Sequence, residues 1–464
     1  MIPLTLTEIA AITGGAQHGE EVLVDAAVVT DSREAVPGSL YVARVGEHAD
    51  GHAYVPQARA AGAVAVLGTR VVDDGPTVLV PDVQAAFAAL ARAVVDRAAG
   101  LTVIGITGSS GKTSTKDLLA AVLRPVGETV APVGSYNSEV GVPLTVCRVT
   151  PSTRFLVAEM GADGEGHIAY LTRIAPPQIG IVLNVGRAHL GEFGSVEAIA
   201  RTKSEMVQAL SPEGLAVLNA DDPNVLAMRE KTSARVITVG RGADADVRAT
   251  DVELDDLGRA RFTARTPQGS ATVSLRLLGE HHVHNALAVL AAALELGVPL
   301  AQVADCLSRA EAASRWRMEL HDLPDGVTLV NDAYNANPES MAAALRALAR
   351  MGAGGRRTLA VLGAMRELGA DSDAEHVAVG RLAMETGADL VIAVGPGAEG
   401  IVEGAREAGA DVTSAVWVQD RDAARALLFR ERREGDVILL KSSRDSGLRF
   451  LGDMIVEETT EGAR

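Results

Sequence analysis

Val103-Ile104-Gly105-Ile106-Thr107-Gly108-Ser109-Ser110-Gly111-Lys112-Thr113-Ser114 decides how this 464-residue chain is read. An apolar, β-branched run enters a glycine loop, and an amphipathic stretch with Leu118, Leu119, Val122 and Leu123 on one face leaves it. Strand, glycine loop and helix form a phosphate cradle. Gly108 and Gly111 let successive backbone N–H groups turn toward one anion, Lys112 adds a compact positive charge, and the helix start adds the positive end of its dipole. Ser109, Ser110 and Ser114 line the same turn, and Thr113 offers a hydroxyl to Mg²⁺. The spacing departs from the common G-x-x-x-x-G-K-[ST] pattern, because position 106 is Ile and Gly105 falls one residue early. The flanking strand and helix outweigh the reading of a chance Gly-Lys-Thr.

Length predicts about three domains of roughly 100 to 200 residues each. A net charge of −17 opposes a nucleic-acid surface, which needs a basic face, so a polyanionic substrate must be met by local basic residues. The two cysteines, Cys147 and Cys306, lie far apart without metal-ligand spacing; neither a disulfide framework nor a zinc site is expected, and a reducing cytoplasm fits. Neither a signal peptide nor a transmembrane span is read, since the most apolar helix, Ala286 to Leu300, is broken by Glu295 and Pro299.

Residues 1–99 read as a small α/β unit, in which Asp31-Ser32-Arg33 is either a capped turn or a binding element. Over 100–313 strands and helices alternate, which predicts a largely parallel sheet covered by helices. Phe155 to Ala158 runs into Glu159, and Ile179 to Asn184 runs toward His189. Ligands of open α/β sheets bind beyond the carboxyl ends of strands, so both residues are placed to share a crevice with Thr113 and to ligate a hard cation. Lys203, on a helix, reads from periodicity as an ordinary surface lysine. Asn219-Ala220-Asp221-Asp222-Pro223 reads as a turn, residues 243–277 as β-hairpins inserted on the sheet, and His281, His282 and His284 as a polar helix start in preference to a metal site. Residues 314–464 alternate again and predict a Rossmann-like unit, with Asp332-Ala-Tyr-Asn335-Ala-Asn337-Pro, Gly363-Ala-Met-Arg and Lys441-Ser-Ser-Arg444 at strand ends. Two facing crevices suit an enzyme that joins two substrates with a nucleotide between them.

The set 107–114, Tyr136-Asn-Ser-Glu-Val-Gly-Val-Pro143, Glu159-Met-Gly-Ala162, the Asn184–Ser195 stretch, Thr202-Lys-Ser-Glu205, Asn219–Asp222 and 332–338 resembles the Mur ligases over nearly the whole chain. Tyr334-Asn-Ala-Asn-Pro338 and Lys441-Ser-Ser-Arg444 resemble most the branch that joins D-alanyl-D-alanine to UDP-N-acetylmuramoyl-tripeptide in peptidoglycan precursor synthesis. Ala364 and Ser442 depart from that branch, which commonly has Asp and Gly there. The resemblance implies an α/β protein of three domains: a uridine-nucleotide domain, a central ATPase with a parallel sheet, and a mobile Rossmann-like domain for the amine. It implies a cytoplasmic enzyme working through an acyl phosphate, with ATP and two Mg²⁺ ions, no nucleic-acid partner and no membrane span, and a monomeric chain is expected. It also implies residue roles. Lys112 and the loop amides would neutralise ATP phosphates, Thr113 and Glu159 would hold one Mg²⁺, and His189 with a carbamylated Lys203 the other. Asn285 would touch the adenine side and Arg317 the phosphates; Ser32 and Arg33 would meet the uridine nucleotide; Asn137, Asp332, Asn335, Asn337, Lys441 and Arg444 would lie near the stem peptide and dipeptide. A sister ligase adding another amino acid (diaminopimelate-adding or folylpolyglutamate type), a P-loop small-molecule kinase and a non-catalytic relative are the rival readings. The last is disfavoured because Lys112, Glu159, His189 and Lys203 are all present.

Overall fold

The computed structural model describes residues 1–46, 49–186 and 193–462. Among these residues the strands form four sheets: a two-stranded pair and sheets of five, nine and six strands, each of the three larger ones mostly parallel. The expected α/β architecture, with a central parallel sheet between two further α/β units, is what the chain adopts.

Third from one edge of the nine-stranded sheet, Thr102–Thr107 lies between Phe155–Glu159 and Ile179–Val182, both parallel to it. All three strands are covered on both faces, which explains why they read as continuous apolar runs without alternation. The phosphate helix Lys112–Leu123 buries Leu118, Leu119, Val122 and Leu123 against this sheet. Each such side chain contributes roughly 1.5–3 kcal/mol on transfer from water. The alanine-rich helix His282–Glu295 is buried nearly all round, as its composition requires; it stops at Glu295, and after Pro299 a new helix, Leu300–Arg309, begins.

Val247–Leu254, Arg259–Thr266 and Gly269–Leu278 are the predicted hairpin strands, and they lie on the sheet as its edge. Val247 pairs in parallel with Val239, so the three strands continue the nine-stranded sheet to its edge. The helix Leu6–Thr13 escaped the sequence reading although its reciprocal Thr5/Glu8 cap is a legible start signal. The first unit is not isolated from the centre. Phe87 and Leu90 of the helix Val83–Arg97 share one apolar cluster with Val142, Val146 and Leu156, and Gln84 donates to the Glu139 carbonyl at 2.6 Å.

The six-stranded sheet runs in the order Glu319–Asp322, Thr328–Asp332, Val437–Lys441, Thr358–Gly363, Leu390–Val394, Ala415–Val418, with only the first strand antiparallel. Separate apolar clusters cover its two faces. Asp332 and Lys441 are register partners at the carboxyl ends of neighbouring strands, which sets up the second wall of the site. Among the described residues no helix is long and apolar enough to cross a membrane. Both cysteines are free, and burial pushes the Cys147 thiol up to about 12.

Candidate active site

Parallel register brings the first functional groups together. Glu159 pairs with Ile106 and Val182 with Thr107, so one strand end delivers a carboxylate and its neighbour the glycine loop. Gly111 caps the phosphate helix at φ +80°, and a Cβ there would stand 2.6 Å from Asn285 Oδ1; a glycine is needed both for the turn and for the approach of the helix His282–Glu295. Lys112 Nζ folds back to the Gly108 carbonyl at 2.7 Å. Burial pulls its amine below the ordinary lysine value, the Glu159 carboxylate opposes that shift, and the Arg317 charge adds to it. The loop is braced from the next strand: Asn184 Oδ1 accepts from Ser110 N–H at 2.9 Å, and Ser109 Oγ accepts from Gly186 N–H at 2.8 Å.

Glu159 is buried, and its Oε1 accepts from Thr113 Oγ1 at 3.2 Å and from Asn137 Nδ2 at 2.8 Å. Its Oε2 is buried with no hydrogen-bond partner among the described residues. A carboxylate oxygen left unpaired beside a threonine hydroxyl fits a hard divalent cation, which takes oxygen ligands and, as Mg²⁺, retains several waters. Among the described residues no three His, Cys, Asp or Glu side chains converge on one metal position, so this pair supplies at most part of a coordination shell.

The opposite wall comes from the last unit. Arg317 donates to Thr113 Oγ1 at 3.3 Å and Ser135 Oγ at 3.2 Å while its guanidinium lies 4.5 Å from the Tyr334 ring centre. Lys441, buried, donates to Asp332 Oδ2 at 2.6 Å and to the Asn335 carbonyl at 3.2 Å; Asp332 Oδ1 accepts from Met318 N–H at 3.1 Å. Asn337 caps the helix Pro338–Gly352 in a reciprocal box with Ser340, and Asn335 Oδ1 accepts from Ala336 N–H. Together the two walls enclose a cavity of about 810 Å³ whose lining includes Ser109 to Ser114, Asn137, Glu159, Arg317, Asp332 and Arg444.

Other residues singled out in the sequence stand elsewhere. His189 lies outside the described residues. Ser32 is buried and donates to Gln57 Oε1, while Arg33 is exposed and pairs with Asp31, whose carboxyl it holds at about 2; Asp31 caps the turn Ser32–Glu34, and neither Ser32 nor Arg33 lines the cavity. Lys203 is not the surface lysine that periodicity predicts. It is 4% exposed within the helix Val196–Gln208, and its amine is pulled down to about 7, first by burial and then by the Lys112 charge. Periodicity failed because Lys203 lies on the sheet-facing side of its helix, with Ile199, Met206 and Val207 also buried. Asn285 is buried, its amide against His282 Nδ1 at 3.2 Å, and His284 pairs with Asp221. Ala364 and Ser442 are buried and do not line the cavity. The Asn219–Asp222 turn also braces a strand exit: Asn219 donates to the Leu183 carbonyl and Asp222 accepts from Val185 N–H at 2.7 Å. Ser135 escaped notice; its only signal was the adjoining Tyr136-Asn-Ser-Glu motif.

Residues 26–98, 106–293 and 316–444 match, in turn, the sequence patterns described as "Mur ligase family, catalytic domain", "Mur ligase middle domain" and "Mur ligase, glutamate ligase domain". The chain belongs to the Mur ligases. It is 47% identical to a Mycobacterium tuberculosis protein named UDP-N-acetylmuramoyl-tripeptide–D-alanyl-D-alanine ligase, covering 100% of this chain and 99% of that one. It is 37% identical to the Escherichia coli protein of the same name, over 97% of each. The crystal structure of MurF from Acinetobacter baumannii superimposes with a TM-score of 0.87 at 32% identity, over 98% of this chain and 99% of that one. The structure of a UDP-N-acetylmuramoyl-L-alanyl-D-glutamate–2,6-diaminopimelate ligase superimposes with a TM-score of 0.53 at 20% identity, over 92% of this chain and 95% of that one, which is likeness of fold alone.

Proposed function

We propose that this Mur ligase joins D-alanyl-D-alanine to UDP-N-acetylmuramoyl-tripeptide at the expense of ATP. The observation that carries the reading is the reach of Arg317, from the last unit, to Thr113 of the phosphate loop, which closes one cavity between an ATP-type cradle and a second polar wall. The full-length identity to ligases of that name favours this acceptor over that of a sister ligase. We assign the uridine nucleotide to residues 1–99, ATP to 100–313 and the amine substrate to 314–464.

The stem-peptide carboxylate attacks the ATP γ-phosphorus; the bond to the β-γ bridging oxygen breaks, giving ADP and an acyl phosphate. The dipeptide amine, having lost a proton, adds to the acyl carbon, and the tetrahedral intermediate expels inorganic phosphate. Positioning and fixed charge dominate such phosphoryl transfer, so Lys112 and the N–H groups of Gly108 to Ser114 meet the β- and γ-phosphates. Arg317 meets them from the other wall, and Asn285 lies toward the adenine. Mg²⁺, when bound, supplies charge neutralisation of the phosphate oxygens. Thr113 and Glu159 would hold one ion; His189 and Lys203, carbamylated, would hold the second. Ser32 and Arg33 serve the uridine nucleotide. Asn137, Asp332, Asn335, Asn337, Lys441 and Arg444 orient the stem carboxylate and the dipeptide, with Arg444 available for a terminal carboxylate. The enzyme works as a cytoplasmic monomer.

Mass spectrometry of the product formed from the UDP-linked tripeptide, ATP and D-alanyl-D-alanine tests the reading. The expected result is the tripeptide mass plus that of the dipeptide less one water, with phosphate release dependent on both substrates. A stable phosphorylated product would indicate a kinase, and preference for a single amino acid a sister ligase.

A further inference from the structure

One buried cation plays no part in the mechanism above. Lys116 sits one helical turn beyond Lys112, is 2% exposed, and donates from one Nζ to three places: Asp117 Oδ1 at 2.6 Å, the Pro132 carbonyl at 3.1 Å and Ser314 Oγ at 3.3 Å. Ser314 is itself buried, in the stretch that joins the helix Leu300–Arg309 to the last unit. Arg317 makes a parallel set of contacts, to Thr113 and Ser135. The two sets tie the same three segments. Thr113 and Lys116 are three residues apart on the phosphate helix, Pro132 and Ser135 three apart on the second segment, and Ser314 and Arg317 three apart on the third. Lys116 therefore forms a buried inner layer of a three-segment junction whose outer layer is the Arg317 contact at the cavity.

We propose that Lys116 is a positioning residue: it fixes the Ser314–Arg317 and Pro132–Ser135 segments on the phosphate helix, so that the Arg317 guanidinium faces the nucleotide phosphates. The inference rests on the ATP site proposed above. A buried ammonium with no role beyond the fold would affect stability when removed and would not be coupled to Arg317.

A double-mutant cycle separates the two roles. Lys116→Met is expected to lower kcat and raise the KM for ATP, each about threefold, a smaller loss in kcat/KM than that of Arg317→Ala, with the KM for the UDP-linked substrate within about twofold of wild type. Once Arg317→Ala is present, adding Lys116→Met is expected to cost less than about twofold more, because the group that it positions is gone. Ser314→Ala keeps Lys116 paired with Asp117 and cuts only the tie to the third segment; it serves if Lys116→Met fails to fold, and a threefold loss absorbed in the same way by Arg317→Ala is expected. A second readout is independent of turnover. Trp316 lies between Ser314 and Arg317, and Trp417→Phe removes the other tryptophan. In that background, titration with ADP should shift Trp316 fluorescence, and Lys116→Met should weaken the apparent ADP affinity about threefold. Multiplicative losses in the cycle, or unchanged kinetics and ADP affinity in a folded Lys116→Met protein, would overturn the proposal. Wild-type protein that binds ADP but fails to couple the two substrates would refute the ligase reading and leave the Lys116 inference to be judged on ADP affinity alone.

Discussion

The glycine loop at 107–114 and the connector at 314–318 each present a cation to the same cavity, and they achieve it by opposite means. In the loop the left-handed turn falls on Gly111, where φ of +80° costs no Cβ clash with its own backbone, and Lys112 follows directly. In the connector Trp316 and Met318, on either side of Arg317, adopt φ of +60° and +50° with full side chains. Each such residue costs on the order of 1–2 kcal/mol. One nearby and two remote carboxylates hold them there. Glu319 Oε2 accepts from Trp316 N–H at 2.8 Å, Asp453 from Trp316 Nε1 at 3.0 Å, and Asp332 from Met318 N–H at 3.1 Å. Lys112 is thus placed mainly by its immediate neighbours in sequence, and Arg317 by residues up to the final helix. A local device gives a rigid cradle; a strained, remotely held one gives a contact that depends on how the last unit is seated.

The largest effect should come from the loop. Lys112→Ala removes the charge that meets phosphate oxygens as negative charge shifts to the departing ADP, and turnover should fall about 10³-fold. Among the described residues its side chain makes one hydrogen bond, to the Gly108 carbonyl, which predicts an unfolding midpoint close to wild type, checked by circular dichroism beside phosphate release. A comparable loss is expected for Lys203→Arg. An amine pulled down to about 7 is largely neutral in mildly alkaline buffer, and the neutral form attacks CO₂, forming an N–C bond and releasing a proton. A guanidinium keeps its charge and cannot do so. Lys203→Ala should be as inactive and partly restored by a short carboxylic acid; an active Lys203→Arg enzyme would remove the carbamate from the mechanism.

Gly111→Ala comes next, with about 10²-fold lost, since the new methyl both strains the turn and displaces Asn285 from 2.6 Å. Isothermal titration should place that loss in ADP affinity. Arg317→Ala should cost about 30-fold in kcat/KM for ATP, the worth of one charged hydrogen bond of about 2 kcal/mol. A loss as large as that of Lys112→Ala would mean that the two cations are not as differently held as the contrast above requires.

That contrast also marks what was legible in the sequence. The strand, loop and helix around Lys112 could be read because apolar runs, glycines and the lysine are contiguous, and the same holds for Glu159 at the end of its buried strand. Asp332 and Lys441 could be noticed as strand-end residues, but their pairing needed the register of Thr328–Asp332 on Val437–Lys441. Lys203 was misread from periodicity, because a lysine on a helix reads as exposed unless the packing of that helix is known. The 243–277 strands were recognised as hairpins, yet their union with the central sheet depends on the Val239–Val247 pairing, which no local signal carries. Left-handed Trp316 and Met318 were invisible for the same reason. Nothing in their residue types favours φ above zero, and the remote Asp332 and Asp453 help to hold it together with the nearby Glu319.

The smallest expected effect tests the connector at its strained point. Met318→Gly relieves the left-handed cost, on the order of 1–2 kcal/mol, and loses the packing of a half-buried side chain against the cluster around Val330 and Leu345. It also adds backbone freedom to the unfolded chain, worth about 0.4–1 kcal/mol against the fold. These terms oppose one another, so the unfolding midpoint should move by no more than a few degrees. The N–H bond to Asp332 survives, because glycine keeps its backbone donor. What changes is the stiffness with which Arg317 is presented, and the KM for ATP should rise two- to fivefold, about 0.4–1 kcal/mol, with the KM for the UDP-linked substrate unmoved. Met318→Asn, whose side chain tolerates the left-handed region, should stay nearer wild type than Met318→Gly. If both variants bound ATP as tightly as wild type, Arg317 would be placed by its own contacts to Thr113, Ser135 and Tyr334 and the strained backbone would be incidental; if Met318→Gly lost as much as Arg317→Ala, the strain itself would be what carries the guanidinium to the phosphates.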